Sequence, residues 1–152
     1  MGKLLGVVAV VGCLSAAACG SANPDGESGE NLDTSMFTTT RSGSFAAQDE
    51  PATSGAVHVQ VDDDGRRYLV LADDFRTAFH TGSVAFFLAA TTDNLADQRE
   101  LEPGSVSPRL GRTTIVGAQA FAIPAEVDDT LFAAVVVYCE PAEVNFGAAL
   151  LQ

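Results

Sequence analysis

The chain has 152 residues, of which 47% are hydrophobic, and a formal net charge of −12 at pH 7. That length fits one domain plus a tail, and the composition is that of a globular domain able to build its own core. The only lysine is Lys3, and every acidic residue lies beyond position 18. The rest of the chain therefore repels phosphate backbones and anionic lipid heads, which argues against nucleic-acid binding.

The N-terminus reads as an export signal over residues 1–18. Met1-Gly2-Lys3 is a short positive start, Leu4 to Val11 is almost wholly apolar, and Ser15, Ala16, Ala17 and Ala18 are small. The apolar run falls well short of the ~20 residues that span a bilayer as a helix. Cys19-Gly20-Ser21 after small residues is similar to the bacterial lipobox, in which a peptidase cuts before a cysteine carrying a diacylglycerol. Ala16 stands where that motif usually has leucine, and Leu14 comes two places early. Val10-Val11-Gly12-Cys13 also fits the pattern, but with a very short apolar run, and ordinary cleavage near Ala18 is a third alternative. Gly2 has no Ser or Thr at position 6 to support myristoylation. The expectation is lipid attachment at Cys19, with the membrane as partner, on the extracytoplasmic side of the cell envelope.

Residues 19–40 are rich in Ser, Asn, Asp, Gly, Glu and Thr and carry little apolar surface, so they read as a flexible acidic tether. From about Arg41 the period becomes two, and residues 41–152 read as one domain. Val57, Val59 and Val61 alternate with His58, Gln60 and Asp62, as in a half-buried strand. Asp62-Asp63-Asp64-Gly65 is a turn signal, and Tyr68 to Leu71 returns as the second strand of a hairpin. Val84 to Ala90 and Leu131 to Cys139 are apolar runs suited to buried strands. Thr113 to Ala118 and Phe121 to Ile123 are shorter candidates, and Asn94 to Leu101 fits a turn or two of helix. Glu143 to Leu150 alternates again, with Val144, Phe146, Ala148 and Leu150 expected on one face. Short strands with Gly, Pro and Asp punctuation predict an all-β fold with little helix, a single antiparallel β-sandwich or barrel-like domain.

These residues resemble the DM-thirteen domain of Skeletor-type animal proteins, DOMON-associated proteins and bacterial lipoproteins. Gly43-Ser44-Phe45 looks like its opening, and Ser54-Gly55-Ala56-Val57 is similar to its first strand. Asp64-Gly65, Leu69-Val70-Leu71 and Asp74-Phe75 match its hairpin, with one residue more before Phe75 than in many members. Gly117-x-Gln119-x-Phe121-x-Ile123-Pro124 and Val127-Asp128 follow. Val135-Val136-Val137-Tyr138-Cys139 then leads to Val144-x-Phe146-Gly147-x-Ala149-x-Leu151. One departure is Gly82-Ser83-Val84, where members usually carry Gly-Pro-Asp-Leu. The resemblance covers roughly two-thirds of the chain. It implies an electron-transfer or redox-associated module, with Cys139 as the candidate redox residue and a redox protein as partner.

Chemistry alone leaves Cys139 open. Once Cys13 leaves with the signal and Cys19 is acylated, it is the last cysteine of the mature chain, in a compartment that favours oxidation. It shares a strand face with Val135 and Val137, so one reading is a buried thiol acting as a small hydrophobe. The other is a redox or ligand thiol where Glu140-Pro141 ends the strand, although Glu140 and Glu143 disfavour a thiolate. Intermolecular pairing is a third reading. His58, on the outward face, and His80, in a loop, are the remaining soft ligands. With Cys139 they do not have the spacing of a cupredoxin, and Met36 lies in the tether. No Cys-x-x-Cys-His occurs. Asp62-Asp63-Asp64 and Asp73-Asp74 lack EF-hand spacing and read as solvated turns. No hydrolase motif or phosphate loop is present. The chain is therefore expected to be no enzyme and to hold no metal or cofactor. The alternative to a redox role is a structural or protein-interaction domain at the cell envelope.

Overall fold

The computed structural model describes residues 29–48, 52–79, 82–101 and 107–152, and the expected signal and Cys19 lie outside these. Among the described residues are nine strands, β1 (Thr38–Ser44), β2 (Ala46–Ala47), β3 (Ala56–Val61), β4 (Arg67–Leu71), β5 (Val84–Ala89), β6 (Arg109–Thr113), β7 (Gln119–Ile123), β8 (Ala134–Cys139) and β9 (Val144–Leu150). One helix, α1 (Leu95–Leu101), and a 3-10 turn, Asp129–Leu131, complete them. The strands form two antiparallel sheets in the orders β1-β3-β4-β7 and β2-β9-β8-β5-β6. They face each other as a sandwich, so the predicted all-β class holds and the barrel alternative does not.

The alternation of β3 and β4 decides which side turns inward. Val57, Val59, Leu69 and Leu71 meet Phe86, Val135, Val137, Phe146 and Ala149 of the other sheet in one buried cluster. Four of its five buried phenylalanines form a row of ring contacts, with centroids 5.6 Å apart for Phe45–Phe75, 5.7 Å for Phe75–Phe86 and 4.8 Å for Phe86–Phe121. The expected hairpin joins β3 to β4. Gly65 takes a φ of +80° there, and its N–H donates to the Asp62 carbonyl at 3.0 Å. Along one side the two sheets are sewn together. Ser42 and Gln152 exchange backbone hydrogen bonds of 2.9 Å, and the chain crosses from β1 to β2 at Phe45.

Four expectations change. The apolar stretch from Leu131 becomes a strand only at Ala134, because Asp128 accepts from Thr130 N–H and Oγ–H and turns the chain into the 3-10 turn, leaving Leu131 73% exposed. Residues 114–118 form a loop, and the strand before them is β6, whose Arg109, Gly111 and Arg112 carry no apolar alternation. The single face expected of β9 is split by a bulge at Phe146. Tyr138 pairs with Asn145 but Val137 pairs with Gly147, so Phe146 and Ala149 face the core while Ala148 faces outward. The boundary placed at residue 41 falls inside β1. Before β1, Glu30 exchanges backbone bonds of 2.8 and 2.9 Å with Ala120, and Leu32 and Phe37 pack against Tyr68, Val70 and Ala120.

Candidate functional site

Cys139 ends β8, the middle strand of the five-stranded sheet. Alternation puts it on the inner face with Val135 and Val137, opposite Val144 of β9, and its exposure is 0%. The chain turns immediately after it. Ala142 N–H and Glu143 N–H both donate to the Cys139 carbonyl, at 3.3 and 2.9 Å, and Glu143 takes a φ of +56° to close the turn. The strand end predicted from Glu140-Pro141 is therefore present, yet the thiol does not emerge with it.

The flanking residues point the other way. Tyr138 lies on the outer face of the same sheet, its ring 5.8 Å from Phe87 in an edge-on contact. The Arg99 guanidinium of α1 sits 4.9 Å above Phe87 and 5.9 Å above Tyr138, a cation–π arrangement over both rings. Burial raises the Tyr138 phenol above its ordinary range, and Arg99 opposes that shift. Glu140 accepts from Arg112 Nη2 at 2.8 Å and faces Arg109 Nε at 3.4 Å. The carboxylate next to the cysteine in sequence is thus engaged by two arginines of β6.

Among the described residues, the other expected ligands are not drawn together with Cys139. His58 is on the outer face of the four-stranded sheet, where its Nδ1 is 3.0 Å from Ser42 Oγ. His80 lies outside the described residues. No group of three or more His, Cys, Asp or Glu arranged for a metal occurs among the described residues. Asp62 accepts from the N–H groups of Asp64 and Arg66 and pairs with Arg66 Nε at 2.7 Å, so this acidic turn is self-satisfied.

Sequence reasoning missed the polar groups that hold the site's surroundings. Asn145 is 1% exposed, accepts from Leu95 N–H at 3.1 Å and donates to Gln48 Oε1 and the Asp93 carbonyl, which seats α1 over the sheet. Buried Asp129 pairs with Arg67 Nη1 at 2.5 Å, while Arg41 donates to the carbonyls of Asp129, Phe132 and Leu151. A polar residue near the start of an otherwise apolar strand was the available signal for Asn145. Arg41 and Arg67 had none, since their partners lie far along the chain.

A family model described as electron transfer DM13 matches residues 44–151, more than two-thirds of the chain, and the match takes in Cys139 and every described strand except β1, of which it holds only Ser44. No curated protein and no solved structure matches the chain. The chain belongs to the electron transfer DM13 family.

Proposed function

We propose that this chain is an electron-transfer accessory module, held by a lipid on Cys19 at the extracytoplasmic face of the cell envelope, with Cys139 as its redox residue and no turnover of its own. The observation that carries the redox part is the family match over residues 44–151. The fixed position of Cys139 supports it, since a group at the end of a central strand keeps one geometry. A thiol wholly inside the core does not meet a protein partner directly. On this reading the thiol gives one electron and its proton to an oxidant carried by a redox protein docked on the outside, and regains both from a reductant, across the covering layer. The N-terminal pattern of small residues before Cys19 supports the anchor.

One observation favours a second reading, a structural or protein-interaction domain. Cys139 is packed among aliphatic and aromatic side chains like any small hydrophobe. The two readings separate on absorbance spectra and metal analysis of protein purified from its native envelope, before and after a chemical reductant. The redox reading expects a reductant-sensitive signal that disappears in Cys139→Ala. A featureless wild type, or a signal unchanged in Cys139→Ala, favours the interaction domain.

A further inference from the structure

The loop joining β6 to β7 is held by a polar cluster sealed from water. Thr113 and Gln119 are 5% and 4% exposed. Thr113 Oγ donates to Gln119 Oε1 at 2.5 Å and accepts from Ile115 N–H at 3.1 Å, and Gln119 Nε2 donates to the Ile115 carbonyl at 3.0 Å. Gly117 N–H donates to the Phe75 carbonyl at 3.0 Å. Burying side-chain amide and hydroxyl groups is tolerated only when they are bonded, and here they are spent on fixing one turn. That turn presents Ile115, 58% exposed, and Val116, 44% exposed, side by side. The loop sequence Thr114-Ile115-Val116-Gly117-Ala118 carries no charge, in a chain of net charge −12. Its neighbours thus hold two aliphatic side chains rigidly in water.

The same cluster lies against Gly29. A Cβ on Gly29 would lie 2.8 Å from Gln119 Oε1, so Gly29 passes directly over the side chain that holds Ile115. Glu30 then pairs with Ala120. Cys19 lies ten residues before Gly29. Ten residues of chain reach at most about 36 Å when fully extended. A lipid on Cys19 would therefore lie within that reach of Gly29, on the face that carries the aliphatic loop.

We propose that Ile115 and Val116 rest in the interface of the bilayer that holds the lipid, so that the 114–118 loop sets the orientation of the domain on the membrane. This rests on the lipid-anchor reading. Short tethering to a bilayer, an uncharged tip and two adjacent aliphatic side chains fit a lipid surface, which accepts apolar groups of many shapes. Exposed apolar side chains that are adjacent and rigid mark contact surfaces more than scattered ones do.

The test uses the full lipidated chain in phosphatidylcholine vesicles, with an environment-sensitive dye on Val116→Cys or on Leu131→Cys. Leu131 is also exposed, but it follows β7 whereas Val116 precedes it, so it serves as the control. Flotation reports the anchor separately. The expected result is that both proteins float and that the dye at 116 brightens several-fold, with a blue shift, and is quenched by a lipid-borne quencher. The dye at 131 stays as in water. A dye at 116 that stays in water while the protein floats overturns the orientation and leaves the anchor standing. Brightening at 116 without vesicles also overturns it, by pointing to self-association. A wild type that does not float removes the anchor and this inference together.

Discussion

At the scale of single residues, Cys139 shows how alternation and strand termination compete. Glu140-Pro141 ends the strand, but the side chain one place earlier is already committed to the inner face. Alkylation is therefore expected to be slow in the native state, paced by opening of the sandwich, and fast after unfolding. Cys139→Ala is expected to cost ~1–2 kcal/mol from lost packing, and Cys139→Ser more if its hydroxyl finds no acceptor. Rapid native labelling with unchanged melting temperatures would contradict this. Asp129 makes a second case. Its carboxylate is 6% exposed against an Arg67 that is 25% exposed, so Asp129→Ala leaves a half-buried guanidinium without its anion. The expected loss is about 3 kcal/mol in chemical denaturation, near the lower end for breaking a buried pair. Asp128 adds a dependence on pH. Bonds from Thr130 Oγ–H and N–H hold its carboxyl below the ordinary range. A depressed folded value means that the stability it contributes is complete above the ordinary value. That contribution is lost as pH falls through the lower folded value. Asp128→Asn should flatten the acid limb of the melting curve, and an unchanged limb would show that the cap carries no such contribution.

Elements were legible where one face of a strand is apolar and its ends carry turn residues. β3, β4, β5 and the hairpin turn at Asp62–Gly65 all meet that condition. β6 fails it, because Arg109 and Arg112 project from the outer face and Gly111 offers nothing to bury. β9 fails differently. Its alternation is real, but the bulge at Phe146 reverses the phase halfway, and no local residue announces a bulge whose cause is register with β8. For the candidate site, the strand and the face of Cys139 could be read, whereas its depth could not, since depth depends on the opposing sheet. Gly43 illustrates a constraint visible only in three dimensions. A Cβ there would lie 2.3 Å from the Leu150 carbonyl oxygen, where β1 and β9 approach. Gly43→Ala is expected to lower stability by roughly 2 kcal/mol or more, as overpacking does. A melting temperature equal to wild type would mean that the seam yields.

At the scale of the molecule, the fold extends further toward the N-terminus than composition indicates. Six of the nine residues 29–37 are Gly, Glu, Asn, Asp, Thr or Ser, yet Leu32 and Phe37 cover the outer apolar row Tyr68, Val70 and Ala120, with the Phe37 and Tyr68 rings 5.2 Å apart. Two apolar side chains sufficed to dock a segment whose average composition is polar. A chain beginning at Thr38 should be less stable than one beginning at Gly29 by roughly 2 kcal/mol, given the apolar area uncovered. Equal denaturation midpoints would show that this segment contributes nothing. The wider account has a buried thiol at the centre of an electron-transfer domain. Its most direct test is a mediated redox titration of the folded protein, wild type beside Cys139→Ala, with circular dichroism confirming the fold of both. The account predicts that the wild type takes up and releases electrons reproducibly and that Cys139→Ala, still folded, does not. Equal electron uptake by the two folded proteins would contradict the role of Cys139.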